Sequence, residues 1–97
     1  MRRAAKRDTN EAEIIRELRR IEGVSVKQLN DRNLPDLLVG FQCKSGRLMN
    51  LLIEVKEPKG KLNKGQIEFF DTWNGQVIVA RSIEEALNIV YSARRDN

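Results

Sequence analysis

The fold follows from residues 34–56, which read LPDLLVGFQCKSGRLMNLLIEVK. Two runs within this stretch, 37–43 and 47–56, are rich in residues that favour β-strands, and Lys44-Ser45-Gly46 separates them. Three residues ending in glycine suit a type I turn followed by a left-handed residue, which is a common loop between antiparallel strands. The stretch therefore predicts a β-hairpin in the middle of the chain.

The hairpin also predicts which side chains share one face of the sheet. Cys43 and Arg47 flank the loop and are expected to lie opposite each other. Counting back along both strands then places Asp36 opposite Glu54. Lys56 follows Glu54 by two residues, so its side chain points to the same face. A two-residue loop would shift the register and break this alignment of two carboxylates and one ammonium group.

A first helix is predicted before the hairpin, capped by Thr9 or Asn10, running to about Glu22 and stopped by Gly23. Its apolar stripe consists of Ile14, Ile15, Leu18 and Ile21. Glu11 precedes this stripe by three and four residues and so lies on the buried side of the helix. A buried carboxylate needs a partner, which makes Glu11 a candidate functional residue. After this helix, residues 24–29 are predicted to form a strand.

A second helix is predicted from Asn63 or a neighbour to about Trp73. Its apolar arc consists of Ile67, Phe69, Phe70 and Trp73. Gln66 falls in the middle of this arc, where an amide needs a polar partner. At helical spacing the aromatic residues are typical of a core, and the alternative is that they stack on bases.

Residues 76–80 predict a short strand, and Ser82 with Glu85 predicts a capping box for a last helix. The residues that this helix is expected to bury are Ile83, Ala86, Leu87, Val90 and Tyr91. The resulting order is α-β-β-β-α-β-α. A helix joins the last two strands, which are therefore expected to be parallel. The prediction is an α/β domain with a central mixed sheet of about four strands flanked by helices.

Composition excludes several classes of chemistry. The chain has 97 residues, of which 40% are hydrophobic and 33% charged, and this suits one globular domain. The absence of histidine removes Ser-His and Cys-His catalysis, and a single cysteine, Cys43, allows neither an intramolecular disulfide nor a cysteine-based zinc site. A reducing cytoplasm is expected, with no membrane partner. Any catalysis must use carboxylates and lysines.

Asp36, Glu54 and Lys56 suit the hydrolysis of phosphodiesters. Two carboxylates from adjacent strands, with the carbonyl of Val55, offer the oxygen ligands that Mg²⁺ prefers. Such an ion neutralises charge on the phosphoryl group and provides hydroxide near neutral pH. Lys56 would contact the attacking water or the scissile phosphate as a fixed positive charge.

The same residues have a purely structural interpretation. Asp36 can begin a turn after Pro35, and Glu54 can pair with Lys56 on a half-exposed strand, because isolated Glu-x-Lys is frequent. The chain would then be a non-catalytic basic nucleic-acid-binding module, or an RNA-binding protein of ribosomal type.

The order of Glu11, Pro35-Asp36, Glu54-Val55-Lys56 and Gln66 resembles the PD-(D/E)xK nuclease superfamily, and most closely its virus-type replication-repair nuclease (VRR-NUC) branch. The resemblance covers nearly the whole domain. That branch usually has glycine two residues before the proline, where this chain has Asn33. Asparagine is among the few residues that tolerate positive φ, so the replacement is conservative.

The resemblance implies a restriction-endonuclease-like fold and a structure-selective DNA endonuclease that leaves 5′-phosphate and 3′-hydroxyl ends. The residues that it assigns to the site are Glu11, Asp36, Glu54, Lys56 and Gln66. Asp36, Glu54 and the Val55 carbonyl would bind Mg²⁺ or Mn²⁺, and Glu11 would join them directly or through water. Stand-alone members are homodimeric Holliday junction resolvases, which implies a homodimer in the cytoplasm of a bacterial or phage-infected cell.

Residues 1–8 and residues 56–64 each carry a net charge of +3, within a total of +4. Residues 1–8 form a basic N-terminal arm, and 9–97 form the single nuclease domain. The residues expected to contact DNA are Arg2, Arg3, Lys6 and Arg7 in the arm, and Lys59, Lys61 and Lys64 beside the site. The dimer surface is expected to be apolar, with the first and second helices as candidates.

Overall fold

The computed structural model describes residues 10–96, and within them the elements follow the predicted order α-β-β-β-α-β-α. The elements are α1 (Glu11–Arg19), β1 (Ser25–Gln28), β2 (Leu37–Gln42), β3 (Leu48–Val55), α2 (Lys64–Thr72), β4 (Val77–Ala80) and α3 (Ile83–Asp96). The basic arm 1–8 and Thr9 lie outside the described residues, so the expectations for Arg2, Arg3, Lys6 and Arg7 stay predictions.

The strands form one mixed sheet in the order β1-β2-β3-β4. β2 pairs antiparallel with both β1 and β3, as consecutive strands joined by short turns do. β3 and β4 are parallel, as the helical connection through α2 predicts. β1 and β4 are therefore the edge strands of this sheet.

The hairpin of β2 and β3 has the predicted register. Leu37 lies opposite Ile53, and the backbone N–H of Cys43 donates to the carbonyl of Arg47 at 2.7 Å. Gly46 ends the loop with φ of 95°, a conformation that glycine adopts without strain. One further step of this register places Asp36 opposite Glu54.

The core lies between the sheet and the pair α1 and α3. Alternate residues of β2 are buried, and α1 contributes Ile14 and Leu18 to the same cluster. α3 contributes Ala86 and Val90 to this cluster. The expectation that Tyr91 is buried is wrong, because 50% of its surface is exposed.

Two helix ends differ from the sequence expectation. α1 ends at Arg19 and not near Glu22, because the N–H of Arg20 also bonds the carbonyl of Glu17, which tightens the last turn. Gly23 follows with φ of 82° and redirects the chain into β1. At α3 the Ser82 hydroxyl accepts the N–H of Glu85 at 3.0 Å as predicted, but the Glu85 carboxylate accepts the N–H of Arg81.

α2 begins where predicted, but its apolar arc is not core. Asn63 and Gln66 form a reciprocal capping box at its first turn. No residue of α2 is buried against the rest of 10–96, and Ile67 and Trp73 are 48% and 46% exposed. The helical wheel indicates which residues share a side, but it does not show whether a partner covers that side.

No helix within 10–96 combines the length and the apolar content that crossing a membrane would need.

Candidate active site

The candidate site lies where β2 begins and β3 ends. Asp36 immediately precedes β2, and its Oδ2 accepts a hydrogen bond from the backbone N–H of Val55 at 2.8 Å. Its own carbonyl accepts the N–H of Leu29 at 2.8 Å. One bond therefore holds the half-buried Asp36 carboxylate and the other holds the Asp36 backbone, both at the end of the hairpin.

Glu54 is the most enclosed carboxylate at this end of the hairpin, with 4% of its surface exposed. Its Oε2 accepts a hydrogen bond from the Gln66 side-chain amide at 2.9 Å and lies 3.9 Å from the ammonium nitrogen of Lys56. The purely structural interpretation expected this pair on a half-exposed strand. A carboxylate buried this deeply is costly unless further groups stabilise its charge.

Gln66 has the polar partner that its place in the apolar arc requires. Its amide oxygen accepts the N–H of Asn63 at 2.9 Å as part of the helix cap, and its amide nitrogen donates to Glu54. Because the cap uses the oxygen, the nitrogen must face the carboxylate. The sequence predicted a polar partner for this amide, and the partner is the Glu54 carboxylate. The role of Glu54 as a metal ligand stays a prediction.

Glu11 is buried at the start of α1, with 3% of its surface exposed, as the helix pattern predicts. Its Oε2 accepts a hydrogen bond from the Gln28 side-chain amide at 2.8 Å. Gln28 was missed at the sequence level. It lies two residues after the buried Val26 and therefore on the same side of β1, which is the signal that could have identified it.

Asn10 has a different role from the predicted one. It occupies the N-cap position of α1, but its side chain makes no capping bond to that helix. Its amide nitrogen donates instead to the carbonyls of Lys56 and Arg81, at 3.2 and 3.3 Å. These two residues directly follow β3 and β4. Asn10 thereby anchors the start of α1, and Glu11 with it, at the end of the sheet where Glu54 lies.

The carboxylates do not form a ready cluster of three. In the part of the chain that the structure describes, no group of three or more His, Cys, Asp or Glu side chains is assembled to hold a metal ion. Asp36 and Glu54 remain as two oxygen donors at the same end of the β2–β3 hairpin. This donor set fits Mg²⁺, which commonly takes one or two carboxylates and keeps several waters. The roles of Glu11 and of the Val55 carbonyl as ligands stay predictions.

The basic segment after β3 is held in place by a residue that the sequence did not single out. The Arg81 guanidinium donates to the carbonyl of Glu57 at 3.2 Å and also bonds the carbonyl of Gly60. Lys59 and Lys61 belong to this segment and are exposed, as is Lys64 at the start of α2. Three ammonium groups are therefore displayed to solvent next to the candidate site.

A cavity of about 270 Å³ opens beside Glu54 and Gln66. Its apolar lining comes from Leu34 and Pro35, ahead of β2, and from Phe69 and Phe70 of α2. The cavity therefore separates the loop that leads to Asp36 from the helix that carries Gln66.

Comparisons of the chain with protein-family models, with curated proteins and with solved structures found no match.

Proposed function

We propose that this chain is a divalent-metal-dependent DNA endonuclease with a restriction-endonuclease-like fold, related to the VRR-NUC branch of the PD-(D/E)xK superfamily. The main support is the surroundings of Glu54. This buried carboxylate lies at the Asp36 end of the hairpin and has the Gln66 amide and the Lys56 ammonium group close to the same oxygen. A surface ion pair needs no such enclosure.

Asp36 and Glu54 would hold Mg²⁺ or Mn²⁺, with the Val55 carbonyl as a third oxygen ligand and Glu11 near the same end of the sheet. When bound, the cation supplies charge neutralisation at the phosphoryl oxygens and a lowered pKa of water. The N–H of Val55 orients Asp36, and the amide of Gln66 orients Glu54. Both carboxylates are thus held in a fixed orientation before the substrate binds.

The proposed reaction adds water to the phosphorus atom and breaks its bond to the 3′ oxygen. The 3′ oxygen takes up a proton, which gives 5′-phosphate and 3′-hydroxyl ends. Lys56 contributes a fixed positive charge beside the phosphate, because its side chain is only 15% exposed and extends along Glu54. The exposed Lys59, Lys61 and Lys64 hold neighbouring phosphates and set the position of the duplex.

The proposed substrate is branched DNA, with Holliday junctions as the preferred case, and the proposed active form is a homodimer in the cytoplasm of a bacterial or phage-infected cell. One chain offers one candidate centre, so paired incisions of a junction need two centres related by a two-fold axis. The apolar face of α1 is used within the core of the chain. The candidate dimer surface is therefore the exposed Ile67 and Trp73 of α2 with Ile78 of the edge strand β4.

A second candidate is a nucleic-acid-binding module without catalysis. The contact between Lys56 and Glu54 favours it, because an ion pair can satisfy both groups without a metal. The two candidates differ in what Mg²⁺ does. A nuclease cuts DNA when Mg²⁺ is added, whereas a binding module only forms a complex.

Cleavage of hairpin, flap, fork and four-way junction DNA with Mg²⁺ or Mn²⁺ tests the proposal. We expect cutting of branched substrates that EDTA stops and added metal restores. Asp36→Ala and Lys56→Ala should bind DNA without cutting it, and Lys44→Ala, at an exposed lysine of the hairpin loop, should cut normally. DNA binding with no cutting of any substrate would favour the binding module.

A further inference from the structure

We propose that the cavity beside Glu54 receives one unpaired base of the DNA, next to the phosphodiester that is cut. The proposal rests on the proposed function for its substrate. To that function it adds what the site selects in the DNA, namely a base that can leave the helical stack.

The size and walls of the cavity suit one planar ring. Its volume of about 270 Å³ lies just below the ~300 Å³ at which pockets for small molecules begin. Leu34 and Pro35 supply apolar surface from the segment before β2, and Phe69 and Phe70 supply it from α2. A base offers flat apolar faces that such walls can contact.

The charged residues that line the cavity give a phosphate no advantage over a neutral ring. Glu54 and Glu68 both line it, against the single guanidinium group of Arg32. In the proposed enzyme Glu54 would hold the cation, which leaves Glu68 balanced against Arg32, so a neutral ring is tolerated in the cavity. The amides of Asn33 and Asn63 also line the cavity and match the donors and acceptors on the edge of a base.

The aromatic side of the cavity, formed by Phe69 and Phe70, is held in place without being packed in the core. The ring of Phe69 stacks on Trp73, with 5.1 Å between ring centres and an angle of 18° between planes. α2 nevertheless buries no residue against the rest of 10–96. Stacking of a base on aromatic side chains tolerates any sequence, because every base has a π-face.

The position of the cavity connects base capture to the choice of branched DNA. Glu54 belongs both to the lining of the cavity and to the proposed metal site. A base enters only after it leaves its pair and its stack, and this costs least at a flap, where pairing is interrupted, or at the crossover of a junction, where stacking is interrupted. A small domain can thereby prefer branched DNA without a separate recognition module.

The test measures binding of four-way junctions in Ca²⁺, each with one abasic site at a successive position around the crossover. For the wild-type chain we expect affinity to change roughly tenfold at one position and to stay constant at the others. Phe70→Ala should bind the intact junction about tenfold more weakly and should lose the response to that abasic site. Tyr91→Ala is the matched control, because it removes an exposed aromatic ring outside the cavity, and it should behave as wild type.

A second variant and a second readout keep the test decisive. Thr72→Phe fills the cavity from an exposed position of α2, so it should fold and also lose the abasic response. 2-Aminopurine at the responsive position should change fluorescence on binding to wild type and not to Thr72→Phe. Equal wild-type affinity at every abasic position, or a response kept by both cavity variants, would overturn the proposal.

Failure of base capture and failure of the nuclease proposal give different results in these experiments. A position-specific abasic response without hydrolysis in Mg²⁺ would support base capture and contradict the endonuclease. Hydrolysis without any abasic response would support the endonuclease and contradict base capture.

Discussion

Gln66 connects a helix cap to a buried carboxylate, since its amide oxygen accepts the N–H of Asn63 while its amide nitrogen donates to Glu54, both at 2.9 Å. The start of α2 and the orientation of Glu54 are therefore fixed by one side chain. Any change at Gln66 has a local effect on the helix and a second effect on the carboxylate, and the two can be measured separately.

The first prediction separates these effects with two variants. Gln66→Leu removes the bond to Glu54 and half of the cap, so we expect about 1 kcal/mol less stability and roughly tenfold weaker Mn²⁺ binding. Asn63→Ala weakens the same cap but leaves the bond to Glu54, so only stability should fall. Thermal unfolding and calorimetric Mn²⁺ titration measure both quantities. Equal loss of Mn²⁺ affinity in both variants would show that Gln66 acts only through the helix.

The second prediction concerns metal binding by Glu54. A ligand that binds only the folded state stabilises it by about 2.7 kcal/mol when its free concentration is a hundred times Kd. Wild type should therefore melt at a higher temperature in Mn²⁺, and Glu54→Gln should not respond. Glu84→Gln changes an exposed carboxylate of α3 and should respond as wild type does. A wild-type melting temperature unchanged by Mn²⁺ would contradict a metal at this site.

The third prediction distinguishes the two roles of Asp36. Asp36→Asn keeps an oxygen that can accept the N–H of Val55, so folding should be nearly unchanged while DNA cutting is lost. Asp36→Ala should also lose cutting and in addition be less stable by about 1–3 kcal/mol, because it leaves the Val55 N–H unsatisfied. Urea unfolding and a cleavage assay measure the two effects. Normal cutting by Asp36→Asn would place the site elsewhere.

The fourth prediction tests the dimer surface. We expect light scattering to give a dimer at micromolar concentration, and Ile67→Lys to give a monomer, since a charge in an apolar interface is costly. Leu48→Lys carries the same change at a side chain that is 78% exposed and lies outside the proposed surface, so it should remain dimeric. A monomeric wild type with cutting proportional to its concentration would contradict the dimer and leave the nuclease proposal intact.

The fifth prediction concerns the exposed lysines. Each phosphate contact contributes about 0.9 to the slope of log affinity against log salt. Replacing both Lys59 and Lys61 by alanine should therefore reduce the slope by about two and weaken binding to all DNA sequences alike. Lys44→Ala should leave the slope unchanged, and a double variant with an unaltered slope would remove these lysines from the DNA contacts.

The hairpin could be predicted in detail because its loop leaves few alternatives. Lys44-Ser45-Gly46 sets one register, and the alternation of strand side chains then determines that Asp36 and Glu54 share a face. The burial of Glu11 and the polar partner of Gln66 followed from helical periodicity in the same way. Each of these predictions depends on spacing over short stretches of chain.

The contacts that the sequence did not reveal join distant parts of the chain. Asn10 has the residue type of an N-cap, and only the packed structure shows that its amide bonds carbonyls 46 and 71 residues away. The partner of Glu11 is likewise on another element, β1. Exposure of α2 was also unpredictable, because periodicity describes one helix and burial depends on what the sheet places against it.

The carbonyl of Arg81 accepts the amide of Asn10, and its guanidinium group bonds the carbonyls of Glu57 and Gly60. One residue thus contributes ties both to the start of α1 and to the lysine-bearing loop. Arg81 directly follows β4, so these two ties can form only once β4 has paired with β3. The surroundings of the candidate site therefore depend on the last strand to join the sheet, although Asp36, Glu54 and Lys56 all come from the hairpin region before it.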